Sequence, residues 1–95
     1  MNDHVETKFE GLRALFINCT LTPSPGHSHT QLLVGASSEL MEKQGVETDL
    51  IRIVDHDVAT GTWPDMREHG ADTDEWPDLQ KRVMDADILV LAGPI

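Results

Sequence analysis

The sequence is poor in positive charge, in cysteine and in long apolar runs. Seven Lys and Arg stand against 17 Asp and Glu, a formal charge of −10 at neutral pH. Nucleic-acid phosphates and anionic membrane surfaces both select basic protein surfaces, so neither is expected as a partner. The acidity reads most simply as a solvated surface. A single cysteine, Cys19, excludes an internal disulfide, a Cys-rich zinc site and an iron–sulfur site. It fits a reducing compartment, and a cytoplasmic protein is expected. No run approaches the roughly 20 apolar residues of a membrane-spanning helix. Residues 1–11 lack the apolar segment of a signal peptide. There is no internal repeat and no low-complexity tract.

What is present suits one small globular domain. The 95 residues are 39% hydrophobic, enough for a core but a modest one. Residues 1–11 read as a flexible polar leader. Residues 12–18 read as a strand, with Leu15, Phe16 and Ile17 consecutive and so covered on both faces. A polar loop over 18–29 follows. From about Thr30, Leu32, Leu33, Ala36, Leu40 and Met41 recur at helical spacing. Ser28 and Gln31 have capping-box spacing, and Gly45 suits the helix end. Residues 47–54 form a second strand whose Glu47, Asp49 and Arg52 mark a sheet edge. A long polar connection over 55–73 leads to a helix starting near Asp74, with Trp76, Leu79, Val83 and Ala86 on one face. Pro77 lies in its first turn, where proline is tolerated. Residues 88–92, "ILVLA", form a third strand.

The order β-α-β-α-β, with two wholly apolar strands and one charged strand, predicts a parallel sheet with helices on both faces. The expected fold class is α/β, a flavodoxin-like doubly wound sheet of order 2-1-3-4-5 with its first three strands here. Strand 3 would then show an unpaired apolar edge where a fourth strand belongs. Residues 12–95 are therefore expected to be the N-terminal part of one domain. Ligands of such sheets sit outside the carboxyl ends of the strands, at the switch point between strands 1 and 3.

The loop "NCTLTPSPGHSHT", residues 18–30, leaves the carboxyl end of strand 1. It is rich in hydroxyls and has no Lys or Arg. Free N–H groups at a helix start attract anions, and the hydroxyls of Thr20, Thr22, Ser28 and Thr30 can add donors. A triphosphate loop of the G-x-x-x-x-G-K-[ST] type is absent. Two readings stand: a single-phosphate site built of neutral donors, or an ordinary capped helix behind a loop.

These residues resemble the flavodoxin-like NAD(P)H-dependent FMN reductases. That family carries a Gly-Ser-containing loop after strand 1, ending Ser-x-Asn or Gly-Asn-Thr, around the FMN phosphate. Here Cys19-Thr20 and Ser28-His29-Thr30 take those places, with "LTPSPGH" between them. The segment "DADILVLAGPI", residues 85–95, is similar to the family's third strand and the loop beside the flavin ring. The resemblance implies FMN as cofactor, NAD(P)H as co-substrate, a small-molecule electron acceptor and a homodimer or higher homo-oligomer. It implies phosphate contacts from Thr20, Ser28, His29 and Thr30, with Thr22 near the family's arginine, and ring contacts from Gly93, Pro94 and Ile95. Hydride transfer through bound flavin needs no catalytic side chain, and none is assigned. A flavodoxin-type electron carrier is the alternative.

Other residues carry less. Cys19 could serve as the nucleophile of a phosphocysteine phosphotransferase of the sugar-system IIB type. The C-x5-R pattern of tyrosine phosphatases is absent, since Pro25 stands six residues on. The His27-x-His29 pair lacks further ligands, so no metal is expected. Asp55, His56 and Asp57 follow strand 2 at the ligand end and read as solvated loop. Trp63 reads as a cover over its own segment or a subunit contact.

Overall fold

Four apolar residues in succession, 14–17, need cover on both sides, and the fold supplies it with one helix per face. The computed structural model describes residues 9–93; most of the expected leader, and Pro94 and Ile95, lie outside them. The elements are β1 (Arg13–Asn18), α1 (His29–Lys43), β2 (Glu47–Arg52), α2 (Trp76–Asp85) and β3 (Ile88–Ala92). Short 3-10 turns occupy Ile53–Asp55 and Met66–His69. The three strands are parallel in the order β2-β1-β3. Edge β2 and central β1 are as expected, and the architecture is flavodoxin-like α/β.

Strand alternation divides the core. Ala14 and Phe16 face α1, packing with Val34 and Val46 and with Ile88, Val90 and Ala92 of β3. Leu15 and Ile17 face α2, packing with Ile51 and Leu79 and with Trp76, Val83 and Ala86. The α2 face is the one its spacing predicts.

The inner stripe of α1 differs from expectation. Leu32, Leu33 and Leu40 are exposed, at 62–68% of their surface, while Val34 is buried. The helix meets the sheet along residues 34, 37, 38 and 41, where Ser37, Ser38 and Met41 are half-buried. Two of those four positions are serine, so apolar periodicity points to the flanking leucines instead. The helix ends in a Schellman motif: Val46 N–H donates to the Met41 carbonyl (3.1 Å) and Gly45 N–H to that of Glu42 (3.0 Å). Gly45 takes φ 92°, which glycine permits without strain. Val46 and Met41 then share the α1-side core.

β2 stops at Arg52, two residues early, because the chain tightens into the turn Ile53–Asp55. α2 likewise starts at Trp76 rather than near Asp74. Asp74 organises the long connection before it. Its carboxylate accepts N–H bonds from Ala59 (3.2 Å), Met66 (3.0 Å) and Trp76 (3.0 Å), which hold its pKa below the ordinary value. Trp63 stacks on His69 at 4.3 Å within that connection. At its far end α2 is fastened to β2, since Arg82 donates to both Asp49 oxygens (2.9 and 2.6 Å) and to the Leu50 carbonyl (2.8 Å). On β3, Leu89 and Leu91 turn away from α1 and are exposed.

Leu79 is the buried contact of α2. Leu79→Ala is expected to lower stability by about 2–5 kcal/mol. Leu32→Ala, on the exposed flank of α1, should stay within about 0.5 kcal/mol. Urea denaturation of the two variants checks both.

Candidate functional site at the carboxyl edge of the sheet

Parallel register places Arg52, Asn18 and Ala92 side by side as the last row of the sheet. All three lie on the α1 face, since each stands two residues beyond a neighbour on that side. Asn18, in the middle, is fully buried. Its Oδ1 accepts from Thr20 N–H (2.9 Å) and its Nδ2 donates to Gln31 Oε1 (3.0 Å). One side chain thus ties the strand end to the loop start and to the first turn of α1. Gln31 does not close the capping box that its spacing implies, because its amide is turned to Asn18. Ser28 supplies the other half: it is the N-cap, and its Oγ accepts from Gln31 N–H (3.1 Å).

The loop has two parts. Residues 18–20 stay against the sheet. Cys19 N–H donates to the Ala92 carbonyl (2.8 Å), and buried Thr20 accepts from Thr22 N–H (3.3 Å). Residues 22–26 swing to the β2 side as a closed bracket. The Ser24–Pro25 peptide is cis, and Gly26 N–H donates to the Pro23 carbonyl (2.8 Å). Only glycine fits at 26, because a Cβ would stand 2.6 Å from Thr22 Cγ2 and 2.7 Å from the Pro23 carbonyl oxygen. Ser24 fixes the bracket to Asp55 through its N–H (2.8 Å) and its hydroxyl (2.6 Å). Those two bonds hold the Asp55 carboxyl below its ordinary pKa, with smaller help from the charges of Arg52 and His56. Arg52 Nη1 donates to the Thr22 (2.9 Å) and Gly26 (3.1 Å) carbonyls.

At the helix start, Gln31 and Leu32 N–H groups are satisfied by Ser28. Those of His29 and Thr30 have no acceptor among the described residues. Thr30 lines a cleft of about 270 Å3 with Phe16, Val34, Val90, Ala92 and Gly93. Gly93 also abuts Cys19 across the two strand ends. The expected site residues therefore fall into groups. Thr20 and Ser28 are buried at the two ends of the loop, and Thr30 and Gly93 share the cleft. His29 lies on the exposed side with its ring edge-on to His27 at 4.8 Å. Thr22 belongs to the bracket, turned to β2. Pro94 and Ile95 lie outside the described residues. No group of three or more His, Cys, Asp or Glu able to hold a metal occurs among the described residues.

Arg52, Asn18, Gln31 and Asp55 are site residues that loop composition does not reveal. The available signal was position: Arg52 falls in the carboxyl-terminal half of the expected edge strand 47–54, toward the ligand end of a parallel sheet.

Residues 12–95 match the model of a protein family described as NADPH-dependent FMN reductase. A "divalent metal cation transporter MntH" of Mycobacterium bovis is 62% identical over 88 residues, which are 93% of this chain and 13% of that protein. Among the described residues no helix is long and apolar enough to cross a membrane. An "8-demethyl-8-aminoriboflavin-5′-phosphate synthase" of Streptomyces davaonensis is 43% identical over 89 residues, 88% of this chain and 35% of that one. The crystal structure of RosB with bound intermediate 8-demethyl-8-formylriboflavin-5′-phosphate superposes with a TM-score of 0.78 at 41% identity, again covering 88% and 35%. The chain thus spans about an eighth and about a third of the lengths of these relatives.

The Ser24–Asp55 clamp has a definite pH dependence. A carboxyl with a lowered folded pKa contributes stability above its ordinary value, here 3.8, and loses it as pH falls through the folded value. Ser24 N–H should therefore keep its hydrogen-exchange protection at pH 3.8 and lose it only in stronger acid. Asp55→Ala should remove that protection at every pH, as read by amide exchange.

Proposed function

The chain belongs to the NADPH-dependent FMN reductase family, and we propose that its β1–α1 loop holds the 5′-phosphate of a flavin mononucleotide. The observation that carries this reading is the pair of unengaged N–H groups of His29 and Thr30 at the start of α1, above the end of the switch-point strands. The hydroxyls of Thr20, Ser28 and Thr30, in and beside the same loop, each have a hydrogen to give. None of the loop residues 18–30 is acidic, and the nearby carboxylate of Asp55 is engaged by Ser24 on the β2 side. A phosphate monoester fits such a donor set, and helix N-termini favour it.

In this reading the bound flavin supplies hydride acceptance and donation between NAD(P)H and a small-molecule acceptor. The chain's own residues bind and orient. Thr20, Ser28, His29 and Thr30 anchor the phosphate, and Gly93, Pro94 and Ile95 border the ring at the end of β3. Gly93 lets ring and backbone approach closely. The acid, base and nucleophile roles stay unfilled. Cys19 serves only as a small residue: its N–H is committed to Ala92 and its Sγ leans back to the Ile17 carbonyl at 4.0 Å. That geometry speaks against the phosphocysteine alternative, in which the thiolate must centre the anion loop. A homodimer or higher homo-oligomer and a cytoplasmic setting belong to the same proposal. So does the idea that these residues form the N-terminal part of one flavin-binding domain, with further strands pairing beyond β3.

A second reading has specific support. The synthase and RosB act on or hold riboflavin-5′-phosphates modified at ring position 8. The flavin phosphate here could be substrate rather than resident cofactor, with the same phosphate cradle. A flavodoxin-type carrier is a third use of that cradle.

Extraction and mass analysis of the ligand from the full-length protein decides between these uses. Unmodified FMN with steady NAD(P)H oxidation supports the reductase; FMN without NAD(P)H oxidation supports the carrier; a ring-modified flavin phosphate supports the second reading. FAD, or no flavin after reconstitution, overturns all three. Thr30→Ala is expected to weaken FMN binding by about 1–3 kcal/mol, with riboflavin binding nearly unchanged. Cys19→Ser and Cys19→Gly should retain most FMN affinity and turnover, whereas phosphate trapped on Cys19 would restore the phosphotransferase.

A further inference from the structure

We propose that Arg52 is the positioning residue of the phosphate cradle: from β2 it provides the positive charge that the loop's own sequence lacks and sets the loop's shape through the Thr22 and Gly26 carbonyls. The proposal rests on the flavin-phosphate reading above and adds a residue to it from another strand.

The first observation is a buried charge without a contact ion pair: the Asp55 carboxylate feels the Arg52 charge but is hydrogen-bonded to Ser24 instead. Arg52 is only 9% exposed. Among the described residues no carboxylate lies within 4.0 Å of it, although Arg13, Arg67 and Arg82 each have one. Its hydrogen bonds both go to backbone carbonyls. A guanidinium has five N–H donors, and the bonds to Thr22 and Gly26 use only Nη1. Burying a cation with so few partners costs free energy unless an anion compensates it. On this proposal an anionic ligand adds to the longer-range compensation that Asp55 gives.

The second observation is where the charge stands. Arg52 is register partner to Asn18 in the last row of the sheet and shares the face covered by α1. It therefore lies beside the residue that ties β1 to the first turn of α1. The charge adds to the helix dipole on the same side of the sheet.

The third is peptide geometry. In a planar trans peptide the C=O and the following N–H point in opposite directions. Holding the Gly26 carbonyl on Arg52 turns the His27 N–H away from the guanidinium. That N–H has no acceptor among the described residues. The Thr22 carbonyl is followed by Pro23, which has no N–H to misplace. Arg52 thus gathers two of the loop's acceptors on its own side and leaves the His27 N–H on the opposite side. Asp55 completes the bracket by holding Ser24.

The test compares FMN with riboflavin, which differs by the phosphate alone, on the full-length protein and its Arg52 variants. Arg52→Met keeps the stem and removes the charge. It should cut the preference for FMN over riboflavin roughly ten- to a hundredfold, with riboflavin affinity held within about twofold. Arg52→Lys keeps the charge without the fork and should recover part of that preference. The salt dependence of FMN binding should flatten in Arg52→Met and persist in Arg52→Lys, a split that a purely structural role would not give. An unchanged preference in Arg52→Met, or equal losses for both ligands, overturns the proposal. Should Arg52→Met fail to fold, phosphorus NMR of FMN bound to the unmodified protein decides. The bound phosphate should stay dianionic to lower pH than free FMN, and titration at or above the free value overturns the role. If the unmodified protein binds FMN and riboflavin equally, the phosphate cradle itself is refuted, a result distinct from failure of Arg52 alone.

Discussion

The buried amide of Asn18 is the joint on which the functional end of this molecule depends. It sits at the end of the central strand, with its oxygen on the Thr20 N–H and its nitrogen on Gln31. Leaving either group unsatisfied in a fully buried position would cost about 1–3 kcal/mol. Strand end, loop start and helix start are therefore coupled. The chain cannot move the first turn of α1 relative to β1 without breaking that amide's bonds. This is what makes the helix N-terminus a fixed feature over the sheet rather than the end of a mobile segment.

Around that joint the sheet sets direction and the neighbouring strands add constraint. Parallel pairing brings the carboxyl ends of β1, β2 and β3 to one edge, so each strand contributes its last residue to the same row. β2 contributes Arg52, and the turn after it contributes Asp55; together they hold residues 22–26 through the Thr22 and Gly26 carbonyls and through Ser24. β3 contributes the Ala92 carbonyl, which receives Cys19 N–H. The loop is fastened on both flanks. The spacer "LTPSPGH" is in this light structural: it carries a glycine-closed bracket held to Arg52 and Asp55.

The same economy of polar groups orders the rest of the chain. Asp74 collects two N–H groups from separated parts of the connection before α2 and a third from Trp76 at the helix start. Glu75 accepts from Asp57 N–H and sits 3.1 Å from His56 Nδ1. Acidic residues that composition counts as surface charge are here acceptors for loop amides. That use explains how an acidic chain with 17 Asp and Glu holds a long irregular connection against its sheet, and why several of these carboxyls are held below their ordinary pKa.

Sequence alone determined the element order, the parallel sheet with β2 at its edge, the α2 face through Trp76, Leu79, Val83 and Ala86, and the loop after β1 as the place to look. These follow from short-range patterns: apolar runs, helical spacing and a strand that carries charge. The buried stripe of α1 was not legible, because the contact line passes through Ser37 and Ser38 and bypasses the more apolar leucines. Nor were the roles of Arg52, Asn18, Gln31 and Asp55. Arg52 and Thr22 are 30 residues apart, and Ser24 and Asp55 are 31 apart. No local periodicity encodes such pairs. Only the parallel register, which places Arg52 beside Asn18, decided that a loop without a cation of its own would close over one supplied by the next strand.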